Sequence, residues 1–197
     1  MSEKVDHGRR QLLTAATALT GTVGVAFAAV PFLASWKPSA RAKALGAPVE
    51  IDISKLEPGA MLNVEWRGKP IYVVRRTPGM SEGLAKLDGL LADPASKASN
   101  QPEYAQNSAR AIRQEFLVVL GVCTHLGCAP LSRFTRGDAE LGADWPGGFY
   151  CPCHGSKFDL AGRVYKNMPA PTNLAIPPYA FLDDNHILVG QDQSRAV

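Results

Sequence analysis

Hydrophobic and polar positions follow three different patterns along this chain. From Leu12 to Leu33 there is no charged residue, and Ala, Leu, Val, Thr and Gly dominate. About 22 residues at about 1.5 Å each give roughly 33 Å, enough to cross a bilayer core. A cleaved leader usually has an apolar run of only about 7–15 residues. Although Ala26-Phe27-Ala28-Ala29 could mimic a cleavage site, the length favours a retained transmembrane anchor over 12–34, with a short N-terminus, 1–11, before it. Residues 35–47 follow as small, polar and Pro-containing sequence with no face to bury, which predicts a linker, with Trp36 placed to anchor it at the interface.

From Val49 the period becomes two. Val49, Ile51 and Ile53 alternate with Glu50 and Asp52, the pattern of a half-buried strand. Met61 to Trp66 and Pro70 to Val74 flank Arg67-Gly68-Lys69 and predict a hairpin. Pro78 to Leu91 carries a leucine stripe and predicts a helix; a polar stretch to Arg113 reads as loop. Phe116 to Val122 predicts a buried strand, and Leu174 to Ile176, Tyr179 to Leu182 and Ile187 to Val189 predict three more, the last two around Asp183-Asp184-Asn185. Many short strands with regular turns argue a mainly β domain over 48–197, an antiparallel β-sandwich with a subdomain inserted at about 122–171.

The formal charge of +3 over 197 residues is slight, and no basic stripe interleaved with aromatics occurs, which excludes nucleic acid as the expected partner. Candidate chemistry lies in two stretches, Cys123-Thr124-His125-Leu126-Gly127-Cys128 and Cys151-Pro152-Cys153-His154-Gly155-Ser156, which hold all four cysteines and two of the four histidines. Soft thiolates and borderline imidazoles on paired loops are metal ligands. Cys123, His125, Cys151 and His154 supply four donors, which leaves Cys128 and Cys153 over, one per arm, and suggests a disulfide between the arms. Three readings remain open on residue types alone: two structural disulfides, a closed zinc site, or a two-iron, two-sulfide cluster with two cysteines on one iron and two histidines on the other.

The paired pattern resembles the signature of Rieske iron–sulfur proteins, C-T-H-x-G-C with C-P-C-H-G-S. The additional cysteine in each arm resembles the disulfide-bearing members found in cytochrome bc complexes. The likeness extends from the anchor and linker to a Pro169-Ala170-Pro171 segment, and it is to the Rieske subunits of bacterial ubiquinol–cytochrome c reductase. It implies a Rieske-type fold and one [2Fe–2S] cluster held by Cys123, His125, Cys151 and His154. It also implies a Cys128–Cys153 bridge, Ser156 as a hydrogen-bond donor to the cluster, and Leu126 as an apolar docking tip. The partners implied are ubiquinol, cytochrome b and cytochrome c1 in a dimeric membrane complex, with His154 accepting the quinol hydrogen bond and proton.

Location follows from the same likeness. Arg9-Arg10-Gln11-Leu12-Leu13 resembles a twin-arginine export signal, the route for folded, cofactor-loaded domains. The basic residues tie on the two sides of the anchor, Lys4, Arg9 and Arg10 against Lys37, Arg41 and Lys43. The export motif breaks the tie and places the soluble domain in the periplasm, on the inner membrane of a bacterium. Two departures from the family pattern stand out: Phe158 where a tyrosine usually donates to a ligand sulfur, and Met168 where the proline segment usually has glycine. The first implies a lowered reduction potential. Competing identities are a Rieske subunit of another exported oxidoreductase, such as an arsenite oxidase-like enzyme, or an anchored zinc-binding module. His7 and His186 lie outside the motif and read as bystanders.

Overall fold

The computed structural model describes residues 6–192; Lys4, part of the charge comparison above, lies outside them. The chain divides into two units, residues 1–44 and 45–197.

The first unit is dominated by helix α1, His7–Ser35. Asp6 caps it, its carboxylate accepting from the Gly8 and Arg9 amides at 3.1 Å. The hydroxyls of Thr14, Thr17, Thr20 and Thr22 each donate to the carbonyl four residues back, at 2.6–2.8 Å, so these polar groups carry their partners with them. No residue of α1 is buried by the chain, and Leu12, Val25, Phe27 and Phe32 are among its exposed apolar side chains. This helix is long and apolar enough to span a membrane. The linker is not wholly irregular as expected: Ala40–Leu45 forms a short helix, α2, with Ser39 accepting from the Ala42 amide at 3.1 Å. It buries nothing, which is why no periodicity announced it.

Among the described residues, the second unit contains three antiparallel sheets of three strands each. The hairpin forms as expected, β2 (Met61–Trp66) against β3 (Lys69–Arg75), with β4 (Phe116–Leu120) on the other side of β3. Ile71, Val73, Val74, Leu117, Val118 and Val119 are fully buried and form the centre of the core. In the second sheet, β1 (Val49–Asp52) and β8 (Tyr179–Phe181) flank β9 (His186–Val189). The smallest sheet, β5 (Leu131–Arg133), β6 (Gly148–Tyr150) and β7 (Lys157–Phe158), lies within the expected insertion.

Two expected elements differ. Pro78 to Leu91 is not one helix but a short α3, Pro78–Glu82, followed by a 3-10 helix, Leu84–Leu90. Gly79, Gly83 and Gly89 weaken the helix, and Arg163 takes the Leu84 carbonyl (2.7 Å) and the Asp88 carboxylate (2.8 Å). Leu174 to Ile176 forms no ladder. The Ala175 carbonyl accepts from Leu120 at the edge of β4, but Arg110 takes the Leu174 carbonyl and Ile176 donates to Asn100.

Those arginines belong to a polar hub around residues 159–163. Arg163 and Asp159, both fully buried, pair at 2.8 Å. Arg76 donates to the carbonyls of Leu160, Ala109 and Gln114; Arg110 donates to those of Ala161, Gly162 and Leu174. Desolvation brings Arg76 and Arg110 down to about 10. They stay charged, and the loop-rich segment 84–114 is held by guanidinium–carbonyl bonds as well as by scattered buried side chains such as Leu84, Leu91 and Ala105.

Candidate metal centre

Both cysteine–histidine stretches fold into the same backbone hairpin. In the first, Cys123 N–H donates to the Cys128 carbonyl (2.8 Å) and Gly127 N–H to the Cys123 carbonyl (3.0 Å). In the second, Cys151 N–H donates to Ser156 (2.8 Å) and Gly155 N–H to Cys151 (2.9 Å). The fifth residue of each is a glycine with left-handed backbone, Gly127 at φ 85° and Gly155 at φ 78°. Strand β4 leads into the first hairpin, and β6 and β7 carry the second.

This folding sorts the four cysteines. Cys128 and Cys153 form a disulfide across the hairpins. Cys123 and Cys151 stay free and buried. The sulfurs of Cys128, Cys151 and Cys153 lie within 4.8 Å of one another, but the disulfide removes two of them as ligands. The thiols of Cys123 and Cys151 interact directly; Ser156 hydrogen-bonds to Cys123, and burial pushes the Cys123 thiol up. A thiolate there is therefore favoured by a neighbouring cation. The rings of His125 and His154 meet edge to face with centroids 4.7 Å apart. His154 is exposed, whereas Nδ1 of His125 is buried without a partner.

Two buried thiols, a pair of adjacent imidazoles and an unpartnered buried ring nitrogen fit a cluster with two sulfur and two nitrogen donors. A closed zinc site would use the same four donors, and Ser156 lies beside them. That residue is fully buried, and its hydroxyl both faces Cys123 and accepts from the Ala170 amide at 3.1 Å. It ties the proline segment to the second hairpin, while Thr124 Oγ1 donates to the Thr172 carbonyl (2.6 Å) and ties that segment to the first. Thr124 was not singled out from sequence; its place inside the motif was the available signal.

The remaining expectations find clear places. Leu126 projects from the first hairpin with 71% of its surface exposed. Phe158 is fully buried and pairs with Phe149 across β6 and β7. The left-handed turn of the proline segment falls on Asn167, at φ 58°, not on Met168, and asparagine tolerates that conformation better than most residues. Met168 packs partly buried against the core. His186 sits away from the site, bound to Asp183 at 2.9 Å, a hydrogen bond that holds its pKa above the usual value.

Comparison with known proteins follows the same division. Residues 48–179 match the Rieske [2Fe-2S] domain family, and residues 1–39 match the family described as Ubiquitinol-cytochrome C reductase Fe-S subunit TAT signal. The ubiquinol-cytochrome c reductase iron-sulfur subunit of Allochromatium vinosum is 56% identical over 195 residues, covering 99% of this chain and 94% of that protein. The subunits of the same name from Blastochloris viridis and Rhodospirillum rubrum are each 43% identical, over 96% and 94% of this chain and 96% and 93% of their own lengths.

Proposed function

The chain belongs to the Rieske iron–sulfur subunits of ubiquinol–cytochrome c reductase, and on that premise we propose that it takes one electron and one proton from ubiquinol at its histidine-bearing tip and passes the electron to cytochrome c1. It is a membrane-anchored subunit, and its cofactor is one [2Fe–2S] cluster. Cys123, Cys151, His125 and His154 would hold it, through two thiolates and two imidazoles. When bound, the cluster supplies one-electron chemistry at a potential that two imidazoles raise to as much as roughly +300 mV, against about −400 mV for all-cysteine ligation in plant-type ferredoxins.

The observation that carries the reading is the contrast within the donor set: buried thiols on Cys123 and Cys151, an exposed imidazole on His154. His154 is the donor that substrate can reach, so it accepts the quinol hydrogen bond and then the proton. Exposed Leu126, next to His125 in the first hairpin, offers an apolar surface for docking on cytochrome b. Ser156 orients the Cys123 sulfur, and the Pro169–Pro171 segment, fixed to Ser156 and continued by Thr172, which Thr124 fixes, shields the thiols from water. Helix α1 is the anchor in the bacterial inner membrane, the twin-arginine segment Arg9-Arg10 in its first turn lies on the cytoplasmic side, and the soluble domain lies in the periplasm, within a dimeric complex.

The test is a His154→Cys variant assembled in the complex. It is expected to lower quinol oxidation by about 10²-fold or more, the usual worth of a positioned proton acceptor. A variant with a normal cluster signal and full quinol turnover would contradict the assignment.

A further inference from the structure

One side chain of the base sheet touches the start of both hairpins and the end of one. Tyr72, in the middle of β3, is 5% exposed. Its ring lies against Gly121, two residues before Cys123, so closely that an added Cβ there would meet Cε1 at 2.6 Å and Cε2 at 2.7 Å. The same ring stacks on Phe149, two residues before Cys151, with centroids 6.0 Å apart and planes 15° from parallel. Its hydroxyl donates to the buried carbonyl of Pro130, two residues after Cys128, at 3.0 Å. The Gly121 amide is in turn bound to the Pro70 carbonyl at 2.8 Å, so β3 holds this approach by backbone as well as by ring.

We propose that Tyr72 is a positioning residue, its ring setting the spacing between the Cys123 and Cys151 hairpins and its hydroxyl fixing the end of the first. This rests on the reading of Cys123, His125, Cys151 and His154 as the cluster ligands. The aromatic ring is rigid, so it transmits the position of β3 to both approaches with little play. Gly121 is a glycine because the ring occupies the space of its side chain. A two-point hold on ligands contributed by separate loops is what keeps a site from loosening without unfolding.

The experiment compares full-length, cluster-loaded Tyr72→Leu, Tyr72→Phe and Gly121→Ala proteins with an Ile187→Ala control, a buried residue of the β1–β9–β8 sheet that feeds neither hairpin. Readouts are the reduced-cluster EPR g values, the half-life of the cluster against a chelator, and the thermal unfolding midpoint. Tyr72→Leu and Gly121→Ala are expected to shift or broaden the g values and shorten the half-life several-fold. Tyr72→Phe, which keeps the ring, should retain most of the half-life. Ile187→Ala should lower the unfolding midpoint with the g values unmoved. If Tyr72→Leu yields no folded protein, Gly121→Ala decides. Unmoved g values and half-lives in the variants overturn the inference; absence of a histidine-ligated signal in the unsubstituted protein overturns the ligand reading itself.

Discussion

The two cysteine–histidine hairpins share a backbone and differ in part of what holds them. Each closes by the same two hydrogen bonds and turns on a glycine at the same place. The first rises from β4, where Leu117, Val118 and Val119 are fully buried, and is gripped by Tyr72. The second runs through β7 into the Asp159–Arg163 turn and the three guanidiniums bound around it. Side chains are permuted on the common frame: histidine is third and cysteine sixth in the first hairpin, whereas in the second cysteine is third, histidine fourth and serine sixth. The permutation lets the sixth residue of one bond to the third of the other as Cys128–Cys153. One backbone solution thus serves two residue orders, both backed by apolar packing that includes Tyr72, with the charged network added behind the second.

That asymmetry can be broken from the second side first. Asp159→Ala leaves Arg163 without its buried carboxylate and is expected to cost about 3–5 kcal/mol, read by chemical unfolding. Removing the bridge by Cys128→Ser with Cys153→Ser frees a loop with a sequence separation of 25, worth about 3.5 kcal/mol by chain entropy. It should weaken both hairpins together, seen as faster cluster loss as well as a lower unfolding midpoint. Gly127→Ala and Gly155→Ala meet no atom within 4 Å, so each should cost only the left-handed strain of about 1–2 kcal/mol. Equal costs would support a common backbone; a much larger cost at one would separate the hairpins. Phe158→Tyr should raise the midpoint potential if, as the family likeness implies, the added hydroxyl donates to a cysteine sulfur, and this buried hydroxyl should cost up to about 1–3 kcal/mol where it finds no partner. An unchanged potential would remove Phe158 as the cause of any lowering.

The comparison also separates what local sequence can reveal from what it cannot. The hairpin of β2 and β3 and the strand before Cys123 were legible because alternation and β-branched runs are short-range signals. The Leu84–Leu90 region was misread because its leucine stripe mimics a helix while the deciding bonds come from Arg163, far along the chain. Leu174 to Ile176 looked like a strand, but its backbone is taken by Arg110 and Asn100. Asp159 and Arg163, four apart just after the second motif, were a local sign of the hub that composition does not distinguish from a surface pair. Tyr72 gave no sign at all, since in sequence it is one more aromatic residue in a strand.

A redox titration of the full-length, cluster-loaded protein at several pH values, following the reduced-cluster EPR signal, tests the central claim most directly. The account predicts a clearly positive midpoint that falls as pH rises, because reduction at a histidine-ligated site brings a proton with the electron. A low midpoint that does not change with pH, or bound zinc in place of iron, would contradict it.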